Sequence, residues 1–133
     1  MKKNLLLLSI SFILISYNTQ AQTVKVISTE VFSDSLQTQQ KPLLLDVRTP
    51  EEFGEGHLKN AVNYDFKNAD FKSRINVLDK NKTYYVYCRS GKRSSAATEE
   101  MRTLGFKTIY ELDGGILKWM EEGKKIVRVL IVN

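Results

Sequence analysis

The chain has 133 residues, a formal net charge of +5, one cysteine and one histidine. That length suits a single domain with a real core, and a lone cysteine rules out an internal disulfide. The cations are scattered apart from those around Cys88, so no tract calls for a nucleic-acid partner.

The chain opens on Lys2 and Lys3, continues through an apolar run from Leu5 to Ile15, and reaches the small-residue pattern Thr19-Gln20-Ala21. This is the layout of a secretory signal peptide. Residues 1–21 are therefore expected to be removed after Ala21, leaving residues 22–133 as one exported domain, periplasmic or secreted. The apolar run falls short of the roughly 20 residues that a bilayer crossing needs, so the mature form is not expected to span a membrane. No cysteine lies near the cleavage point, which excludes lipid attachment there.

Val24-Lys25-Val26-Ile27 reads as a short strand. Ser28 or Thr29 then caps a helix reaching about Gln39, with Val31, Phe32 and Leu36 on one face. Pro42 stops that helix, and Leu43-Leu44-Leu45-Asp46-Val47 is apolar enough for a strand covered on both faces. Thr49 as cap and Pro50 at the first helical position start a short helix that Gly54 and Gly56 end. Ala61 to Tyr64 suggests another brief strand. The stretch from Asn68 to Asp79 carries Phe71, Ile75 and Leu78 at helical spacing. Tyr84-Tyr85-Val86-Tyr87 favours a strand that delivers Cys88 at its carboxyl end. A helix is expected from Ser94 to Leu104, with Ala97, Met101 and Leu104 inward and Gly105 closing it. Thr108 to Leu112 gives a strand, Asp113-Gly114-Gly115 a turn, and Ile116 to Glu122 a short helix whose Trp119 belongs to the core. The apolar tail from Ile126 to Val132 should pack over the body as an edge strand or extended segment, a dimer contact being the alternative. Alternating strands and helices specify a mainly parallel α/β sheet, which binds ligands beyond the carboxyl ends of its strands.

The chemistry concentrates at Cys88-Arg89-Ser90-Gly91-Lys92-Arg93-Ser94. A cysteine attacks as its thiolate, a minor form of a free thiol at neutral pH. Three cations within five residues, with the amides opening the next helix, favour the anion and would hold an anionic substrate against it. A buried, inert cysteine is the plainer alternative, and Arg89, Lys92 and Arg93 argue against it. An exported protein with one unpaired cysteine is also unusual, because such compartments oxidise thiols. The only histidine, His57, has no sequence signature of a base for Cys88 and reads as a structural, hydrogen-bonded residue.

Three motifs in order carry a resemblance to a known family. Asp46-Val47-Arg48 with Glu52-Phe53, Gly56-His57-Leu58 and Ala61-Val62-Asn63 resembles the N-terminal signature of rhodanese domains. The Cys88–Ser94 segment is similar to that family's active loop, and Leu112-Asp113-Gly114-Gly115 with Trp119 to its C-terminal element. The resemblance implies a five-stranded, mainly parallel sheet flanked by helices on both faces, and it implies sulfur transfer. Cys88 would take the outer sulfur of a donor such as thiosulfate as a persulfide, and cyanide, a thiol or a protein acceptor would remove it. The amides from Arg89 to Arg93, through Ser90, Gly91 and Lys92, would cradle the sulfur. Arg89 and Lys92 would attract the donor, while Arg93 would fix the closing edge of the loop. No metal or organic cofactor is implied. Asp46 would either touch the loop cations or brace Arg48 and Glu52 in an ion-pair network.

The chain departs from the family pattern at Lys59-Asn60, where a proline-glycine pair is usual, and in its apolar tail. Phosphatases and arsenate reductases on the same scaffold use a loop one residue longer; the four residues between Cys88 and Arg93 argue for sulfur instead. The same motifs would also suit a persulfide carrier, or a partner-binding module without turnover.

Overall fold

The computed structural model describes residues 21–128, with Ile13, Ile15 and Ser16 before them. The rest of the expected signal peptide and the end of the apolar tail lie outside the described residues. Five strands, β1 (Thr23–Ile27), β2 (Leu43–Asp46), β3 (Val62–Asn63), β4 (Thr83–Tyr87) and β5 (Thr108–Leu112), form one sheet in the order β1-β5-β4-β2-β3. Every neighbouring pair is parallel, so the expected α/β architecture holds.

Local chemistry explains most helix boundaries. Ser28 caps α1 (Thr29–Thr38) by accepting from the Val31 N–H at 3.3 Å. Thr49 and Glu52 form a reciprocal capping box that starts α2 (Pro50–Glu55). The helix expected over 68–79 shrinks to α3 (Phe71–Asn76). Side-chain oxygens of Asn68 and Asp79 accept from the Asp70 and Asn81 amides at 3.1 and 2.9 Å, and such turns compete with helical hydrogen bonding. Helix α4 (Lys92–Thr103) begins two residues earlier than expected, because Gly91 takes a left-handed conformation and becomes its cap. It ends in a Schellman motif: Phe106 N–H donates to Met101 O at 3.2 Å and Gly105 N–H to Arg102 O at 3.1 Å. Helix α5 spans Gly115–Glu121.

Alternation along β4 splits the core between the two faces of the sheet. Tyr84, Val86 and Cys88 face α3 and α4, packing with Leu45, Phe71, Ile75, Ala97, Met101 and Ile109. Tyr85 and Tyr87 face α1 and α5, against Phe32, Leu58, Ile116 and Trp119. Each buried phenol has a polar partner: Tyr84 donates to Asp79 O at 2.7 Å, Gln39 donates to Tyr85 at 2.7 Å, and Leu58 N–H donates to Tyr87 at 3.0 Å. Trp119 is buried as expected and donates to Lys125 O at 3.0 Å. The described part of the tail packs on the body, with Val127 in an antiparallel bridge with His57 and Ile126 against the second face. Among the described residues no helix is long and apolar enough to cross a membrane.

Candidate active site

Strand β4 occupies the middle of the sheet and ends at Cys88, beside the end of β2 that carries Asp46 and Arg48. The thiol is buried, only 1 % exposed. From Cys88 the chain folds over so that the Gly91 N–H donates to Sγ at 3.1 Å, while Sγ–H reaches the Ser94 hydroxyl at 3.4 Å. Gly91 has φ +106, a left-handed conformation that glycine adopts without Cβ strain. Of the amides expected to cradle sulfur, that of Gly91 touches it.

A second set of contacts clamps the loop from behind. The first amides of α5 donate into it, Ile116 N–H to Cys88 O at 2.9 Å and Leu117 N–H to Arg89 O at 3.1 Å. This requires the backbones to approach so closely that a Cβ on Gly115 would lie 2.4 Å from Arg89 O and 2.6 Å from Cys88 O. Gly115 therefore serves the active loop as well as its own turn.

The three loop cations divide. Arg93, only partly buried, makes a bidentate pair with Glu52, at 2.6 and 2.8 Å. Its Glu52 hydrogen bonds raise the guanidinium pKa, and the same bonds hold Glu52 down at about 2 against the cost of burial. Arg89 and Lys92 are exposed, as is Ser90, and with Phe66, Lys67, Ala96 and the partly buried Arg93 they line a recess beside the loop. Lys67 has no mark in the sequence that would single it out.

Asp46 makes neither contact foreseen for it in full. It binds Arg48 through three side-chain hydrogen bonds of 2.6 to 3.1 Å, both groups being buried, and does not touch the loop cations. Arg48 spends its remaining reach on Gly56 O at 2.7 Å. Burial lowers the Arg48 pKa, but the Asp46 hydrogen bond and charge outweigh it and the net shift is upward. Glu52 leaves this network because the capping box fixes it at the start of α2, aimed at Arg93. His57 shares a 3.0 Å contact between Nδ1 and Leu58 O and stacks on Phe53 at 3.9 Å, with no hydrogen bond to the loop.

One site residue escaped the motif reading. Glu111, on β5, is buried and accepts from the Ser94 hydroxyl at 2.6 Å. Its signal was a charge at an inward position: strand alternation puts Glu111 on the same face as buried Ile109. Burial raises its pKa.

A parallel α/β sheet of five strands, its central strand followed by a buried cysteine and a tight six-residue loop, is the frame that the known relatives share. Residues 28–122 match the rhodanese-like domain family, and the chain belongs to it. Among its relatives is the Bacillus subtilis protein YtwF, which carries a provisional sulfurtransferase name; it is 35% identical over 101 residues, covering 76% of this chain and 95% of that one. A rhodanese-related protein from Thermoplasma volcanium superposes with a TM-score of 0.68 at 31% identity, covering 77% of this chain and 97% of its own. The polysulfide-sulfur transferase homodimer of Wolinella succinogenes does so with a TM-score of 0.66 at 29% identity, over 83% and 81% of the two chains. Sulfur transfer in general is the chemistry this membership supports.

Proposed function

We propose that this protein is a sulfurtransferase in which Cys88 carries the sulfur. The Cys88 thiolate attacks the outer sulfur of a small anionic donor such as thiosulfate. A sulfur–sulfur bond forms to Cys88, the donor's bond breaks, and sulfite leaves with the electron pair. A thiol, cyanide or protein thiol then takes the sulfane sulfur and regenerates the thiolate, a two-step covalent exchange. The observation that carries this reading is the Gly91 N–H held 3.1 Å from a buried Sγ, in a loop whose Arg89 and Lys92 line an open recess. An amide donor suits an anionic sulfur, and the exposed cations suit an anionic donor. The name of the Wolinella succinogenes relative supports polysulfide as a second donor to test.

Incubation with thiosulfate or polysulfide is expected to add about 32 Da, one sulfur atom, to the intact protein through covalent capture at Cys88. Cys88→Ser should gain nothing. Wild-type protein that stays unmodified by both donors would overturn the proposal, as would robust turnover of an aryl phosphate. We also propose that residues 1–21 direct export; a mature chain starting at Gln22 in the extracytoplasmic fraction is the expected result, and an intact Met1 chain retained in the cytoplasm would refute it.

A further inference from the structure

Glu111 is a buried carboxylate, 5 % exposed, that no lysine or arginine pairs with among the described residues. Its surroundings are short of charge on every side. Val26 of β1 and Val86 of β4 flank it in register. Helix α4 offers the hydroxyls of Ser94 and Thr98, with Ser95 on the recess that Glu111 lines, the turn after β5 contributes Asp113, and the loop brings Cys88 to Ser94. Asp113 is itself tied to Lys118 at 2.6 Å, and Arg93 to Glu52, so both of these cations have carboxylate partners of their own. An unpaired carboxylate in such a place is costly as an anion and is relieved by taking a proton.

Next along the hydrogen-bond chain from Glu111, beyond the Ser94 hydroxyl, is the Cys88 thiol. Ser94 stands between the two groups, with Oγ 3.4 Å from Sγ and 2.6 Å from Glu111 Oε1. Its single hydrogen can serve one acceptor at a time. The weaker contact, with Gly91 O at 3.2 Å, loses to the shorter, charge-assisted one with Glu111. The three atoms thus form a line, S–H to O–H to carboxylate.

We propose that Ser94 and Glu111 form a proton wire that removes the Cys88 proton as the thiolate forms. The S–H bond breaks as its proton goes to Ser94 Oγ, and the Ser94 hydrogen passes to Glu111 Oε1. The result is a thiolate accepting from Ser94 and a neutral Glu111 donating to Ser94, with no change in net charge. The buried site holds one negative charge throughout, on oxygen before the shift and on sulfur after it. Glu111 keeps the proton while sulfur is bound and returns it when the thiol is restored. Of these steps, only that storage and return of the proton rests on the sulfur-transfer reading.

Alkylation of Cys88 by iodoacetamide tests the wire without any sulfur donor, and intact mass reads it cleanly because Cys88 is the only cysteine. With the wire, the thiolate–carboxylic acid form is an internal exchange, so wild-type reactivity should stay within about threefold between about pH 6 and about pH 8. In Glu111→Gln the proton must go to solvent. Its rate should be about tenfold or more below wild type near pH 7, climb about tenfold per pH unit, and meet wild type near pH 9. Glutamine still accepts from Ser94, and thermal melting checks that the variant folds. Ser94→Ala interrupts the wire at its middle and should show the same slope. Parallel profiles for wild type and Glu111→Gln would reduce Glu111 to a structural role and overturn the proposal. A Glu111→Gln variant faster than wild type at neutral pH would also overturn it, since Glu111 would then be only a fixed repulsive charge. If no sulfur is taken up by any form but these alkylation slopes appear, the wire stands and the sulfur-transfer reading is what fails.

Discussion

The Glu52–Arg93 pair ties α2 to the loop that carries Cys88, and its strength can be read through pH. Glu52 falls from the usual 4.5 to about 2, mainly through its Arg93 hydrogen bonds. At 1.36 kcal/mol per pKa unit that corresponds to about 3 kcal/mol. The two side chains are 18% and 25% exposed, so water screens part of the interaction and about 2 kcal/mol is the working figure. Glu52→Gln isolates the charge, because glutamine preserves the capping box with Thr49. A carboxylate whose pKa is depressed by folding adds stability above its unfolded pKa and loses it as the pH falls through the folded one. Urea unfolding should therefore show wild type more stable than Glu52→Gln by about 2 kcal/mol at neutral pH. The gap should hold down to about pH 5 and close between about pH 4.5 and about pH 2. A gap that persists unchanged at the acid end, or one below about 0.5 kcal/mol at pH near 7, would refute the assignment of this pair as the brace of the loop.

Two glycines should respond to alanine with opposite signs. Gly115→Ala forces a Cβ to 2.4 Å from Arg89 O at φ +61, so it should cost more than about 2 kcal/mol, lower the melting temperature and slow Cys88 reactions. Gly54, inside α2 with nothing within 4 Å of a new Cβ, should gain about 0.5 kcal/mol as alanine in the same melt. Arg48→Met leaves Asp46, 0% exposed, without its cation and should cost about 3–5 kcal/mol by denaturant unfolding. Replacing both partners, as Asp46→Asn with Arg48→Met, should recover part of that loss; a double variant no better than the single one would count against a paired buried charge.

How much of this could be read from the residues depended on how local the cause was. Ser28, Thr49 with Pro50, and the Tyr84–Tyr87 run act within a few positions, so the caps and the strand that delivers Cys88 were legible. The Schellman end of α4 was announced by Gly105 for the same reason. The extent of α3 was not: Phe71, Ile75 and Leu78 have helical spacing, yet the turns at Asn68 and Asp79 take the backbone amides first. Charge partners were harder still. Asp46, Glu52, Arg48 and Arg93 offer more than one plausible pairing, and the sorting depends on where α2 aims Glu52, across 41 positions of sequence. Gly115 looked like a turn glycine because its close neighbour, the Cys88–Arg89 backbone, is distant in sequence. Glu111 was visible in principle as a charge out of phase with its strand's buried face.

The sorting of the loop cations also bears on what the site can recognise. Arg93 lines the same recess but is paired bidentately with Glu52, so part of its charge is already spent on bracing the loop. The positive charge open to solvent comes from Arg89 and Lys92, joined by Lys67 from the segment after β3. Within the same loop the sulfur meets one amide, that of Gly91, and one hydroxyl, that of Ser94. Long-range attraction therefore resides in exposed side chains, whereas the groups that touch sulfur are a backbone amide and a hydroxyl tied to Glu111. A ring of exposed cations tolerates donors of different lengths, while a single fixed amide beside a buried thiol favours a small terminal atom over a tetrahedral oxyanion. That division of roles, more than the count of positive residues in the loop, is what the proposed transfer of sulfane sulfur would draw on.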